Sequence, residues 1–244
     1  MYNEEKYSSV PRENAFSGEV RSGSALNSFI NRVFGWMFAG LAMTGGLAWY
    51  LGNFQVQRIL QYHKAFWIFA IAEFLVVIAL SAGMRKINAM TAALLFALFA
   101  LLNGVTLSWI FIAYSTAVIA KTFFATSCTF GFMGLLGYLT RKDLSGIGSI
   151  CFMGLIGIII ASVINMIWYN GMADLIISCI GVLIFAGLTA WDVQKIKLLA
   201  LELAETSASG HDVRKYAVFG ALELYLDFIN LFIMLLRIFG GSRK

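Results

Sequence analysis

The sequence predicts an all-α polytopic membrane protein with seven transmembrane helices, and three observations carry that expectation. Of its 244 residues, 60% are hydrophobic and only 13% charged, against ~25% charged in a soluble domain. A soluble chain this apolar has too little polar surface to cover itself, which excludes the soluble globular, disordered, collagen-like and disulfide-stapled classes. The apolar residues also gather into runs close to the ~20 residues that a bilayer span requires. Finally, the single proline, Pro11, precedes every run, so any bend inside a span must come from glycine or packing.

The runs are Val33–Leu51, Ala65–Met84, Met90–Ala113, Ala117–Leu139, Ile147–Trp168, Met172–Trp191 and Ala217–Phe239. Without water to satisfy the backbone, each is expected to be a helix. The first holds Gly40, Gly45 and Gly46, the fourth Gly131, Gly134 and Gly137, the fifth Gly154 and Gly157, and the sixth Gly181 and Gly187. Small residues at such spacing let helices approach closely, and packing accounts for nearly all of them. Residues 1–28 are polar, balanced in charge and without an apolar core, and read as a mobile tail rather than a signal peptide. Residues 29–244 form the transmembrane domain.

Net charge is +5, from 18 basic and 13 acidic residues. In a membrane chain this excess reads as topology, not as nucleic-acid binding. With the N-terminus inside, the loops between spans place eight Lys and Arg on the inner side and three on the outer. The expected topology is a cytoplasmic N-terminus and an outer C-terminus; because the C-terminal end is itself basic, a last segment that re-enters and returns to the cytoplasm is the alternative. Cys128, Cys151 and Cys179 lie inside apolar runs and read as small core residues. His63 and His211 lie in loops, and no HExxH, CxxC or GxSxG pattern occurs. No enzyme activity and no cofactor are expected.

Four acids fall at membrane depth: Glu73 in the second run, Asp192 at the inner end of the sixth, and Glu223 and Asp227 in the seventh. A carboxylate there costs several kcal/mol, so it must face a cavity, find a partner or hold a proton. At 100° per residue, Glu223, Asp227, Asn230, Met234 and Arg237 share one face of an otherwise apolar helix. Such a stripe points into the protein or along a water-filled path; a purely structural hydrogen-bond seam is the plainer alternative. Asp192, followed by Lys195 and Lys197, reads on its own as a helix-end acid paired with lysines. The sixth and seventh runs are consecutive and antiparallel, however, so Asp192 meets Asp227 if the two helices are adjacent and the inner vestibule reaches that depth. Two carboxylates ~3 Å apart cannot both ionise cheaply; they titrate as a unit and form a proton-controlled switch. Arg85, at the inner end of the second run, is the best-placed counter-charge.

The stretch Leu224-Tyr225-Leu226-Asp227-Phe228-Ile229-Asn230-Leu231-Phe232, continuing to Leu236-Arg237-Ile238-Phe239-Gly240, resembles the C-terminal signature of the Bax-inhibitor (transmembrane Bax inhibitor motif) family. Thr189-Ala190-Trp191-Asp192-Val193-Gln194-Lys195-Ile196-Lys197 resembles its sixth-span ending, and Lys142-Asp143-Leu144-Ser145 its loop after the fourth span. The similarity covers Phe29 to Gly240 and is closest to bacterial members. It implies a central seventh helix surrounded by the other six in two three-helix layers. It also implies pH-sensitive calcium leak and, in eukaryotes, suppression of cell death. The family's two-aspartate pH sensor falls on Asp192 and Asp227, and its latch arginine on Arg85. Glu73 matches an acid found in the second span of some members, whereas Glu223 departs from the neutral residue many carry.

Two function classes follow. The first is a cation leak pathway, Ca²⁺ being the favoured ion, gated by protonation of Asp192 and Asp227. These two acids would ligate Ca²⁺ transiently, and Glu73, Glu223 and Asn230 would line the polar seam or cation path. The second is a membrane interaction protein that regulates a membrane protease or a stress or cell-death pathway, its polar seam being structural. An intramembrane enzyme lacks a nucleophile–base pair. A retinal-type receptor lacks a lysine in the seventh run, and a proton-coupled transporter lacks the Gly/Pro-broken helix pairs of many such folds. The expected partners are the lipid bilayer, Ca²⁺, protons and a membrane-protein partner, not nucleic acid. The expected location is a bacterial inner membrane.

Overall fold

The computed structural model describes residues 12–55, 65–83, 87–206 and 209–241. Among these the secondary structure is entirely helical: α1 (Arg12–Phe54), α2 (Ala65–Gly83), α3 (Ala89–Leu107, with a further turn at Ile110–Ala113), α4 (Thr116–Leu139), α5 (Ser145–Ile167), α6 (Gly171–Glu205) and α7 (Gly210–Gly240). Each apolar run of the sequence falls on one helix. Side chains at the helix starts take up orphan backbone N–H groups. Asn88 Oδ1 accepts from Thr91 N at 2.8 Å, Asn170 Oδ1 from Met172 N at 2.9 Å, and Ser209 Oγ from Asp212 N at 3.2 Å. By length and composition, α3 with its extra turn, α4, α5, α6 and α7 qualify as membrane spans; α2 offers the shorter apolar stretch Trp67–Leu80.

Two boundaries differ from the sequence expectation. Residues 12–28, read as part of a mobile tail, continue α1. In the sequence no proline follows Pro11 to interrupt a helix. Leu26 already packs on the core and Phe29 is buried. At the other end, α6 does not stop at Trp191 but runs to Glu205, and α7 begins at Gly210. The two helices thus form a long antiparallel hairpin extending beyond the apolar runs.

The packing has a clear centre. In α7, 78% of the most apolar window is buried, against 28% or less in the other qualifying spans. Helices α1, α3, α4 and α6 pack along it, while α2 packs on α3 and α5 on α6. The six outer helices therefore fall into two triplets, each with one member held away from α7. Large apolar side chains such as Ile150, Met153, Ile160 and Ile164 on α5 point outward, as expected where the solvent is lipid. α7 is fixed by aromatic contacts on several sides. Tyr225 meets Phe96 and Phe99 edge-on at 5.7 and 5.6 Å, and Phe228 meets Phe123 and Phe130 at 5.7 and 5.4 Å.

Close approach of backbones sets the position of α6. A Cβ on Gly137 of α4 would strike the carbonyl of Ala190, and one on Gly181 would lie 2.9 Å from Met234 of α7. The Ala190 backbone cannot yield as the end of the Met234 side chain can, so the Gly137 contact is the one that admits only glycine.

Candidate functional site

The α6 positions Asp174, Ser178, Gly181, Phe185, Leu188 and Asp192, and then Lys195, recur at alternating steps of four and three. So do Glu223, Asp227, Asn230, Met234 and Arg237 on α7. This is the spacing of a helix-on-helix seam. The structure pairs the two stripes in antiparallel order. Arg237 Nη1 lies 3.4 Å from Asp174 Oδ1, Met234 sits over Gly181, Asp227 faces Asp192, and Glu223 Oε2 lies 3.1 Å from Lys195 Nζ. The polar stripe read from the seventh run is therefore turned towards α6.

At the centre of the site, the carboxyl groups of Asp192 and Asp227 face each other closely enough for each to sense the other's charge. Both are buried, with relative exposures of 8% and 5%. Two ionised carboxylates offer only acceptors, so a hydrogen bond between them would require a proton on one of them. Among the described residues, Asp192 Oδ1 has no well-aligned donor but lies 3.0 Å from Lys195 Nζ, and Asp227 Oδ2 is buried with no partner. Glu223, Lys195 and, on α5, Cys151 are further titratable groups close enough to sense the charge of Asp227. The extension of α6 past Trp191 explains the meeting. Asp192 is not at a helix end; it lies mid-helix at the same depth as Asp227.

The rest of the Trp191-to-Lys197 motif builds this site. Trp191 packs onto Gly148 of α5, where a Cβ would strike its indole. Gln194, only 7% exposed, accepts from Leu144 N and donates to Lys142 O, both at 2.8 Å. It thereby ties the α4–α5 loop to α6. In that loop, Asp143 Oδ1 accepts from Ser145 N at 2.9 Å and also from its hydroxyl, which holds the exposed Asp143 carboxyl below its ordinary range. Lys197 Nζ donates to Tyr138 O at 2.7 Å at the end of α4. A cavity of about 520 Å³ opens at this end, with Trp191, Lys195, Tyr216, Phe219 and Glu223 in its wall. At the other end of the seam, Asp174, Arg237, Tyr114 and Tyr169 line a cavity of about 470 Å³.

Not all sequence candidates join the pair. Glu73 stands apart on α2, accepting from Thr106 Oγ1 at 2.7 Å and Asn103 Nδ2 at 3.3 Å on α3. Asn230 lies on the seam but donates to its own helix, at Leu226 O, 2.8 Å away. Arg85 lies outside the described residues. Among the described residues, the basic group beside the pair is Lys195, three residues after Asp192, which the sequence offers only as one of several nearby lysines. Among the described residues no three His, Cys, Asp or Glu side chains converge as a metal site. The acidic ends meet in pairs, with an ammonium group between Asp192 and Glu223.

Fold and site define a class: a polytopic all-α membrane protein with a buried carboxylate pair between its last two helices. Residues 26–244 match the family model described as inhibitor of apoptosis-promoting Bax1. The chain belongs to this Bax-inhibitor family. It is 45% identical over 227 residues to the inner membrane protein YbhL of Escherichia coli strain K12, covering 92% of this chain and 96% of that protein. A protein of Borreliella burgdorferi is 40% identical over 220 residues, covering 89% and 94%. The membrane protein SpyM3_0260 of Streptococcus pyogenes is 36% identical over 231 residues, covering 91% and 96%.

Proposed function

We propose that the chain is a cation leak pathway of a bacterial inner membrane, gated by protonation of the Asp192–Asp227 pair, with Ca²⁺ as the favoured ion. The observation that carries this reading is the burial of two mutually facing carboxyls behind an open cavity. Such a pair takes up and releases a proton as a unit, and each change alters the charge in the wall between α6 and α7. Hard cations prefer oxygen ligands, and Asp192, Asp227 and Glu223 would offer them from the cavity side. In this reading all seven helices cross the bilayer and the N-terminus is cytoplasmic. The α6–α7 hairpin, with Lys195, Lys197, Arg214 and Lys215, then lies on the inner side, in line with the positive-inside rule. The name of the related YbhL supports the location.

Between the two cavities the seam is closely packed, with Met234 on Gly181 and with Phe185 and Leu231 buried. Conduction requires this apolar section to part and wet, as in hydrophobic gates. The test is Ca²⁺ flux into proteoliposomes as a function of pH. Asp192→Asn and Asp227→Asn should each abolish or displace the pH response. Unchanged flux with an unchanged pH midpoint in both variants would remove the basis for the switch.

The packed middle of the seam also favours a second reading, a membrane interaction protein whose acids are structural. Retention of partner binding by a variant without flux would support it.

A further inference from the structure

Glu223 is the acid that the family resemblance leaves without a role. It stands one turn before Asp227, yet its carboxylate engages Lys195 at 3.1 Å. The same ammonium is 3.0 Å from Asp192 Oδ1 and 4.8 Å from the centroid of the Trp191 ring. Three neighbours thus hold one flexible cation in place. The Lys195 and Glu223 side chains are 42% and 43% exposed and line the cavity of about 520 Å³, whereas Asp192 and Asp227 are buried behind them. An ion moving from the cavity towards the pair meets the ammonium first.

A positive charge between two carboxylates is, electrostatically, what a bound cation would be at that point. A second observation stands beside it: among the described residues Asp227 Oδ2, one turn after Glu223 on α7, is buried with no partner. We propose that Lys195 is a tethered cation occupying the inner cation position, with Glu223 as its holding arm. It competes with divalent cations for Asp192 and Glu223, and so sets the affinity and the basal leak of the inner mouth. The flux consequence rests on the leak reading; the binding consequence does not.

The test uses the full chain at one fixed pH, with Ca²⁺ as probe. In detergent, K195Q should bind ⁴⁵Ca at least about tenfold more tightly than the parent protein, while K195R stays within about twofold of it. E223Q added to K195Q should abolish the gain. In the parent protein, Ca²⁺ should accelerate acylation of Lys195 by a water-soluble reagent, read by mass spectrometry, because the displaced ammonium becomes more accessible. Equal Ca²⁺ affinity in parent, K195Q and K195R, all eluting as the same species, overturns the proposal, as does Lys195 acylation indifferent to Ca²⁺. A binding gain in K195Q without any pH-dependent flux in the parent protein overturns the leak reading alone. A pH-dependent parent flux without the binding gain overturns the Lys195 proposal alone.

Discussion

Thr44 and Tyr225 provide a test of how α7 is anchored. Thr44 Oγ1 donates its only proton to Ala100 O at 2.8 Å, so the 2.7 Å contact with Tyr225 must have the tyrosine hydroxyl as donor and Thr44 as acceptor. Tyr225 is 0% exposed and Thr44 1%, so water cannot substitute. The two single substitutions are therefore unequal. Tyr225→Phe removes a donor and leaves Thr44 still bonded to Ala100, at a cost of ~0.5–1.5 kcal/mol. Thr44→Val keeps the shape but leaves the tyrosine O–H buried without an acceptor, at a cost of ~1–3 kcal/mol. In the double variant no hydroxyl is stranded, so its cost should fall short of the sum by ~1 kcal/mol or more. Reversible denaturant unfolding of the full chain in mixed micelles reads all three values. Additive costs, or a larger cost for Tyr225→Phe than for Thr44→Val, would refute the assignment of donor and acceptor.

Further outcomes are expected elsewhere. Gln194→Ala removes two 2.8 Å hydrogen bonds and should cost ~2 kcal/mol, with faster proteolysis of the α4–α5 loop as the local readout. Gly137→Leu forces α4 away from the Ala190 backbone and should cost more than ~2 kcal/mol in the same unfolding assay; a neutral result would show that this approach can relax. Asp143 has a lowered folded-state pKa from its Ser145 bonds, so its contribution is present above the unfolded carboxyl pKa and disappears as pH falls through the folded value. Protection of the Ser145 amide from hydrogen exchange should accordingly drop below about pH 4, and Asp143→Asn should remove that pH dependence. Arg237→Gln and Asp174→Asn should show a coupling of ~0.5–1 kcal/mol in a double-mutant cycle, as expected for a half-exposed pair.

The apolar runs were legible as helices because membrane helices must be long and continuous, and five of the described helices are long and apolar enough to cross a membrane. The working face of α7 was also legible, since Glu223, Asp227, Asn230, Met234 and Arg237 follow the period of a seam. What faces it was only half legible. The Asp192–Asp227 contact depends on α6 continuing to Glu205, and that extension carries mixed polar and apolar residues rather than a hydropathy signal. Lys195 was hidden among neighbouring lysines, although its position three after Asp192 places it on the same stripe. The partners of Glu73, Asn103 and Thr106, sit on another helix with no sequence relation to it. Gln194 reads as a motif residue, but its grip on Lys142 and Leu144 spans about fifty residues of chain and no local pattern encodes it.

The fold treats its acids at depth differently, and the difference separates two otherwise similar variants. Glu73 has two side-chain donors, Glu223 has Lys195, Asp174 has Arg237, and Asp192 shares Lys195. Asp227 makes no ion pair among the described residues, and its Oδ2 is unpartnered there. Asparagine at 227 can supply an amide donor to Asp192 and breaks no ion pair among the described residues. Asparagine at 192 instead deprives Lys195 of one of its two carboxylates. Asp192→Asn should therefore be the less stable variant, by ~1–3 kcal/mol, the scale of a lost charge-assisted hydrogen bond. Unfolding of the two variants in the same micelles decides it. If Asp227→Asn is equally or more destabilised, the Lys195 ion pair is not what separates the two variants.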